Sequence, residues 1–224
     1  MKSIQVLLSG ISQHGTTLEY ELDRDISSAL RPGQYLLARG ESDILPVPLF
    51  PCGMDGEQLT GFPPVENHWQ PGTLLNIRFP LGKGFSLPSN ARRLLMVCGT
   101  ASPLRLFPVA GQVLSAGGEA ALFTEHPPER IPIEMELIDR EQLAEAVAWA
   151  DFIIGDTSLA GLVTWRELAG DGKPVPGRQI QVLVDTPLLC AGMANCGVCS
   201  VKTRRGWKQA CKDGPVFEFC ELEV

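Results

Sequence analysis

Cys190-Ala-Gly-Met-Ala-Asn-Cys196-Gly-Val-Cys199, answered further on by Cys211, decides how the rest of the chain is read. Four of the seven cysteines follow the spacing C-x5-C-x2-C-x11-C. Thiolate sulfur is the ligand that iron–sulfur clusters and structural zinc both demand. A C-x2-C pair places two sulfurs on one metal, and a longer loop of small residues wrapped round that pair suits a two-iron cluster. The plant-type spacing for such a cluster is C-x4-C-x2-C with a distant fourth cysteine, so the first gap here is one residue longer. Ala191, Gly192, Ala194 and Gly197 let the backbone approach inorganic sulfide closely and turn N–H groups toward it. Tetrahedral zinc and a disulfide framework are the alternatives that the spacing leaves open.

Outward from that stretch the composition narrows the field. At 224 residues, 44% of them hydrophobic, the chain has material for one large domain or two small ones with packed cores. A formal charge of −7 offers no basic field to a phosphate backbone, which argues against nucleic acid as a partner. The start Met1-Lys-Ser-Ile-Gln-Val-Leu-Leu-Ser has no uninterrupted apolar run with a cleavage site, and no later stretch is long and apolar enough for a membrane span. The expected location is cytoplasmic, and cysteines clustered at metal-ligand spacing fit such a reducing compartment.

The N-terminal part alternates apolar and polar residues from Ile4 to Leu8 and from Leu18 to Asp23, the period of strands with one wet face. Arg31-Pro-Gly-Gln-Tyr35-Leu-Leu-Ala-Arg39 and Thr73-Leu-Leu-Asn-Ile77-Arg-Phe79 repeat the pattern after Pro-Gly turn signals. Short strands so punctuated read as a small antiparallel barrel ending near Asn90. After Arg93 the grammar changes. Leu94-Leu-Met-Val-Cys98 is a continuous apolar run of the buried parallel type, and Ala120 to Thr124, Met135 to Ile138, Phe152-Ile-Ile-Gly155 and Ile180 to Val184 read as further strands. They are separated by a helix after Pro103 that Pro108 kinks or restarts, by one capped at Asp139 with Gln142 completing a capping box, and by one over Ser158 to Leu168. That alternation implies right-handed βαβ units and a mostly parallel sheet. Phe62-Pro-Pro64 and Gly170 to Pro176 read as surface loops.

Cys190 to Cys211, followed by Lys212-Asp-Gly-Pro-Val-Phe217, resembles the C-terminal cluster-binding segment of the electron-transfer subunit of NAD-linked dihydroorotate dehydrogenase, in the ferredoxin-reductase superfamily. The resemblance implies a [2Fe–2S] cluster on Cys190, Cys196, Cys199 and Cys211. It also implies FAD beside the cluster, a partner oxidoreductase subunit of dihydroorotate-dehydrogenase type, and a hetero-oligomer. The plan it suggests is a FAD-type β barrel over 1–90, a degenerate NAD-type α/β domain over 91–185 and a cluster segment over 186–224. In relatives an Arg-Pro-x-Ser motif in the barrel binds flavin, its arginine on the pyrophosphate and its hydroxyl on the isoalloxazine. The matching position here reads Val47-Pro48-Leu49-Phe50. Pro80-Leu-Gly82-Lys-Gly84-Phe85 is similar to the family's flavin loop, so Gly82, Lys83 and Gly84 are the FAD candidates, with a plain interdomain turn as the alternative. The family's Gly-rich nicotinamide loop has shrunk to Gly99-Thr-Ala-Ser-Pro103-Leu104, and its Cys-Gly-Pro turn reads Gly155-Asp156-Thr157. Asp156 would repel a phosphate, and NAD is not expected.

Cys98 reads as core packing, Cys52 and Cys220 lie outside the ligand spacing, and Trp207 reads either as a shield for the cluster or as an ordinary hydrophobic plug. No nucleophilic triad, activated Cys/His pair or carboxylate pair can be assembled, so no catalytic residue is assigned. The expected function is an electron-transfer component of an oxidoreductase rather than a stand-alone enzyme. Its rivals are a complete flavin reductase and a non-enzymatic docking subunit whose cysteines hold a structural metal.

Overall fold

The computed structural model describes residues 2–14, 17–61, 69–100, 102–128, 131–169, 178–187, 189–194 and 196–223. The two proline- and glycine-rich stretches read as surface loops, 62–64 and 170–176, lie outside the described residues.

Six strands close the expected barrel: β1 (Lys2–His14), β2 (Thr17–Leu22), β3 (Tyr35–Arg39), β4 (Val47–Cys52), β5 (Gln58–Gly61) and β6 (Leu74–Leu81). Their order is β1-β2-β5-β4-β3-β6, every pairing antiparallel. In β6 the period-two pattern is literal, with Leu75, Ile77 and Phe79 buried between more exposed neighbours. The first four residues of β3 are all buried, because the strand has two covered faces. Leu36 and Ala38 point into the barrel core, whereas Tyr35 and Leu37 belong to the second core, shared with the sheet that follows.

That sheet comprises β7 (Arg93–Cys98), β8 (Glu119–Thr124), β9 (Met135–Ile138), β10 (Phe152–Ser158) and β11 (Gln179–Asp185), all parallel, around helices α1 (Phe107–Ser115), α2 (Leu143–Trp149) and α3 (Leu162–Ala169). A 3-10 turn over Leu104–Leu106 precedes α1, and Pro108 occupies the first turn of that helix, where its missing N–H costs nothing. Asp139 and Gln142 exchange the expected reciprocal hydrogen bonds, each side chain accepting from the other's backbone N–H at 2.9 Å, but α2 starts later than expected, at Leu143 with Gln142 at its N-cap. The third helix starts at Leu162 rather than Ser158, because β10 continues to Ser158 in register with Asp185. The C-terminal segment is tied to this sheet: a hairpin of β12 (Ser200–Thr203) and β13 (Gly206–Gln209) and a one-turn helix α4 (Ala210–Asp213) lead to β14 (Val216–Glu218), which pairs antiparallel with β11.

Gly155 in the middle of β10 shows how tightly the sheet is covered. A Cβ there would lie 1.9 Å from the Trp165 ring of α3. Gly155→Ala is therefore expected to destabilise the fold by at least the ~1–3 kcal/mol typical of overpacking, read as a lower urea midpoint with an unchanged slope.

Candidate iron–sulfur site and the adjoining crevice

Three of the four sequence-assigned ligands sit inside: Cys190, Cys199 and Cys211 are buried, while Cys196 is exposed on the loop. The sulfurs of Cys199 and Cys211 are 3.2 Å apart. Spacing suits Cys196 and Cys199 to one metal; the sulfur that touches Cys199 in the structure is that of Cys211. The reason is the hairpin, which returns the chain so that Ala210 N–H donates to Cys199 O at 2.8 Å. Two sulfurs on one metal at about 2.3 Å stand about 3.8 Å apart, so a small opening of this pair admits an ion. Among the described residues no three His, Cys, Asp or Glu side chains are gathered into a metal-ligating set.

The loop backbone fits a sulfide-bridged cluster. Ala191 has φ of 53° and Gly192 of 73°, consecutive left-handed residues that turn N–H groups to the inner side of the loop. Burial opposes ionisation of Cys190, but hydrogen bonds from the backbone of Ala194 and Gly192, from Cys211 and from the backbone of Met193 outweigh it, and the thiol is lowered. Gly192 also reaches Cys211, which burial and contact with Cys199 nonetheless push up to about 12. Tyr35, fully buried on the barrel strand β3, donates its hydroxyl to Cys211 O at 2.7 Å and fixes the fourth cysteine across the domain boundary. This contact had no signal in the sequence beyond the position of Tyr35 after the Pro-Gly-Gln turn. Tyr35→Phe leaves that buried carbonyl without its donor and is expected to cost about 1–3 kcal/mol of stability, seen as a lower denaturation midpoint. Trp207 neither shields nor plugs: it stands on β13 with its side chain 70% exposed.

Of the other cysteines, Cys52 and Cys98 are core and Cys220 is half-buried. Burial, with Asp156 nearby, pushes Cys98 up to about 11, and burial, with Glu19 and Asp55, raises Cys52 well above its usual range. In folded cluster-free protein at neutral pH, iodoacetamide should therefore modify Cys196 long before Cys52 or Cys98, as peptide mass spectrometry would show.

Beside the cysteine segment lies the place where a sheet of this topology takes a ligand. The strand order β14-β11-β10-β7-β8-β9 reverses direction between β7 and β10, and the crevice beyond their carboxyl ends is the usual dinucleotide position. Arg105, from the turn before α1, reaches the strand ends there. Its Nε and Nη2 donate to the two Asp156 oxygens at 2.8 and 2.7 Å, and its Nη1 reaches Asp185 at 3.4 Å. Both Arg105 and Asp156 are essentially inaccessible to water. Asp156, read from sequence as a charge that would repel phosphate, is thus a paired charge in the core. The Arg105 guanidinium in turn lies 4.9 Å over the ring of Phe50, which packs at 5.7 Å against Tyr35.

The loop of Gly82, Lys83 and Gly84 is engaged by the protein itself. At Gly82, with φ of 70°, a Cβ would meet Gly214 O at 2.6 Å and both Pro215 and Tyr35 at 2.8 Å; at Gly84 it would meet Pro32 O at 2.5 Å. Lys83 N–H donates to Gly214 O, and its side chain is exposed. The glycines let the cluster segment and the barrel touch there. Val47, at the position of the flavin arginine, is buried and apolar. The cysteine loop fits a cluster, whereas the charged groups of the crevice are paired with one another.

Barrel, parallel sheet and cysteine loop together have the layout of a ferredoxin-reductase-like fold. Residues 189–223 match the family model described as the iron–sulfur cluster binding domain of dihydroorotate dehydrogenase B, so the resemblance seen in the cysteine spacing holds for this segment. Among solved structures, the chain is similar to an NADH-dependent reduced ferredoxin–NADP oxidoreductase described in connection with flavin-based electron bifurcation. That match has a TM-score of 0.72 and 17% identity, covering 97% of this chain and 89% of the other. It is also similar to the ferredoxin reductase of carbazole 1,9a-dioxygenase, at TM-score 0.62 and 16% identity over 80% of this chain and 66% of that one. At such identities the likeness establishes the fold. No curated protein sequence matches the chain.

Proposed function

We propose that the chain is the electron-transfer subunit of a multi-subunit oxidoreductase, carrying a [2Fe–2S] cluster on Cys190, Cys196, Cys199 and Cys211. When bound, such a cluster accepts and returns one electron at a time. The observation that carries this reading is the convergence of loop backbone donors on Cys190 and Cys211, with Cys199 touching Cys211. Structural zinc on two C-x2-C pairs needs no such bare, left-handed loop. The chain's own residues would bind the cluster, keep water from three of its four ligands, and set its potential through backbone hydrogen bonds and burial.

The partner this supports is a catalytic oxidoreductase subunit, similar to that of dihydroorotate dehydrogenase, in a hetero-oligomer. Seven free cysteines support a reducing, cytoplasmic setting, and among the described residues no helix is long and apolar enough to cross a membrane. Dithionite reduction of anaerobically purified protein should give an EPR signal of one unpaired electron per chain. A colourless, EPR-silent protein holding one zinc per chain would instead make the metal a staple that contributes folding energy without redox.

A further inference from the structure

We propose that this chain takes neither flavin nor pyridine nucleotide into its interdomain crevice: Phe50, Arg105 and Asp156 occupy that space as parts of the protein, leaving the cluster as its one redox centre. The last clause rests on the function proposed above; the filled crevice does not.

The reason is first one of room. A planar ring inserted between two groups needs about 7 Å between them, twice the ~3.5 Å of a close carbon contact. Arg105 stands 4.9 Å from the Phe50 ring, and Tyr35 stands 5.7 Å from it on the same barrel face. Phe50 is fully buried and belongs to the continuous core that joins the barrel to the sheet. Arg105 cannot simply step aside, because its departure would strand Asp156, itself fully buried, without a counter-charge.

Charge gives the second reason. A dinucleotide pyrophosphate needs a cation or bare N–H groups at a helix N-terminus. The cation in the crevice is committed to two carboxylates, Asp156 and Asp185. Val47 offers a side chain without a donor. The segment before α1 is a 3-10 turn started by Pro103, with no side-chain cap.

A chain so built has no group that accepts a hydride. Each transfer moves a single electron between the cluster and a one-electron centre on a partner protein, with no bond made or broken and no proton required. Its electron donor is therefore a protein carrying a one-electron centre, not NADH.

The test uses the anaerobic, cluster-loaded protein. Flavin released by acid is measured by fluorescence, FAD and FMN are titrated with the protein while anisotropy is followed, and reduction by NADH plus FAD is compared with reduction by dithionite by EPR. The expected result is no co-purified flavin, no saturable anisotropy change, and a full signal with dithionite but none with NADH. Stoichiometric flavin, saturable binding of FAD or FMN, or reduction by NADH would overturn the proposal. A missing dithionite signal would count against the cluster assignment alone, because the filled crevice is decided by the flavin titration.

Discussion

Replacing Cys199 with serine should abolish the EPR signal of the reduced protein and remove most of its bound iron, whereas Cys52→Ser should leave both at the wild-type level. Cys199 is buried in contact with Cys211, at the open end of the β12–β13 hairpin. Serine there substitutes a hard, shorter oxygen for the soft thiolate that iron–sulfur clusters select. Cys52 lies in the barrel strand β4, its thiol held protonated by burial and by Glu19 and Asp55. Metal analysis and EPR on the two variants, purified side by side without oxygen, check the pair. Full iron in Cys199→Ser would move the ligand role elsewhere, with Cys220, half-buried on the 3-10 turn Phe219–Glu221, as the next sulfur to examine.

The second large effect lies in the crevice. Arg105→Leu removes one partner of a fully buried, two-pronged ion pair and should cost about 3–5 kcal/mol, because the remaining carboxylate is left without compensation. Arg105→Leu combined with Asp156→Leu should recover most of that loss, since replacing a buried pair by apolar groups is often neutral or favourable. The pH dependence has a definite sign. Burial pushes Asp156 up to about 6 even against the pull of Arg105, above the 3.8 of an ordinary aspartate. The folded state thus holds this proton more tightly than the unfolded state, and the contribution of Asp156 to stability falls as pH rises from about 4 to about 6. Without Arg105 the carboxyl rises further and the window extends upward, so the deficit of Arg105→Leu should be larger at pH 8 than at pH 5. Urea denaturation at the two pH values measures it; an equal deficit at both would mean that Asp156 finds another counter-charge.

Much of this was written locally in the chain. The change from alternating strands to the continuous run of Leu94–Val97 marks the passage from barrel to parallel sheet, because strands covered on both faces read as near-continuous apolar runs. The four candidate ligand cysteines are legible because metal chemistry restricts both residue type and spacing. Other features depend on contacts between distant residues. Arg105 reads as a lone cation in Pro103-Leu-Arg-Leu-Phe107, and its partner lies 51 residues away. Arginine flanked by apolar residues that must be buried was the available cue. The strand β5 is four residues long and follows Gly53 and Gly56, too short for a period to show. Trp207 reads from sequence as a cluster shield or a hydrophobic plug, yet it stands exposed on a two-stranded hairpin. The contact of Cys199 with Cys211, rather than with its near neighbour Cys196, is likewise a product of the hairpin and not of spacing.

Iron and acid-labile sulfide, determined together on protein purified without oxygen, test the central assignment most directly. Two irons and two sulfides per chain are expected for a cluster on Cys190, Cys196, Cys199 and Cys211. One zinc per chain, with neither iron nor sulfide, would contradict it.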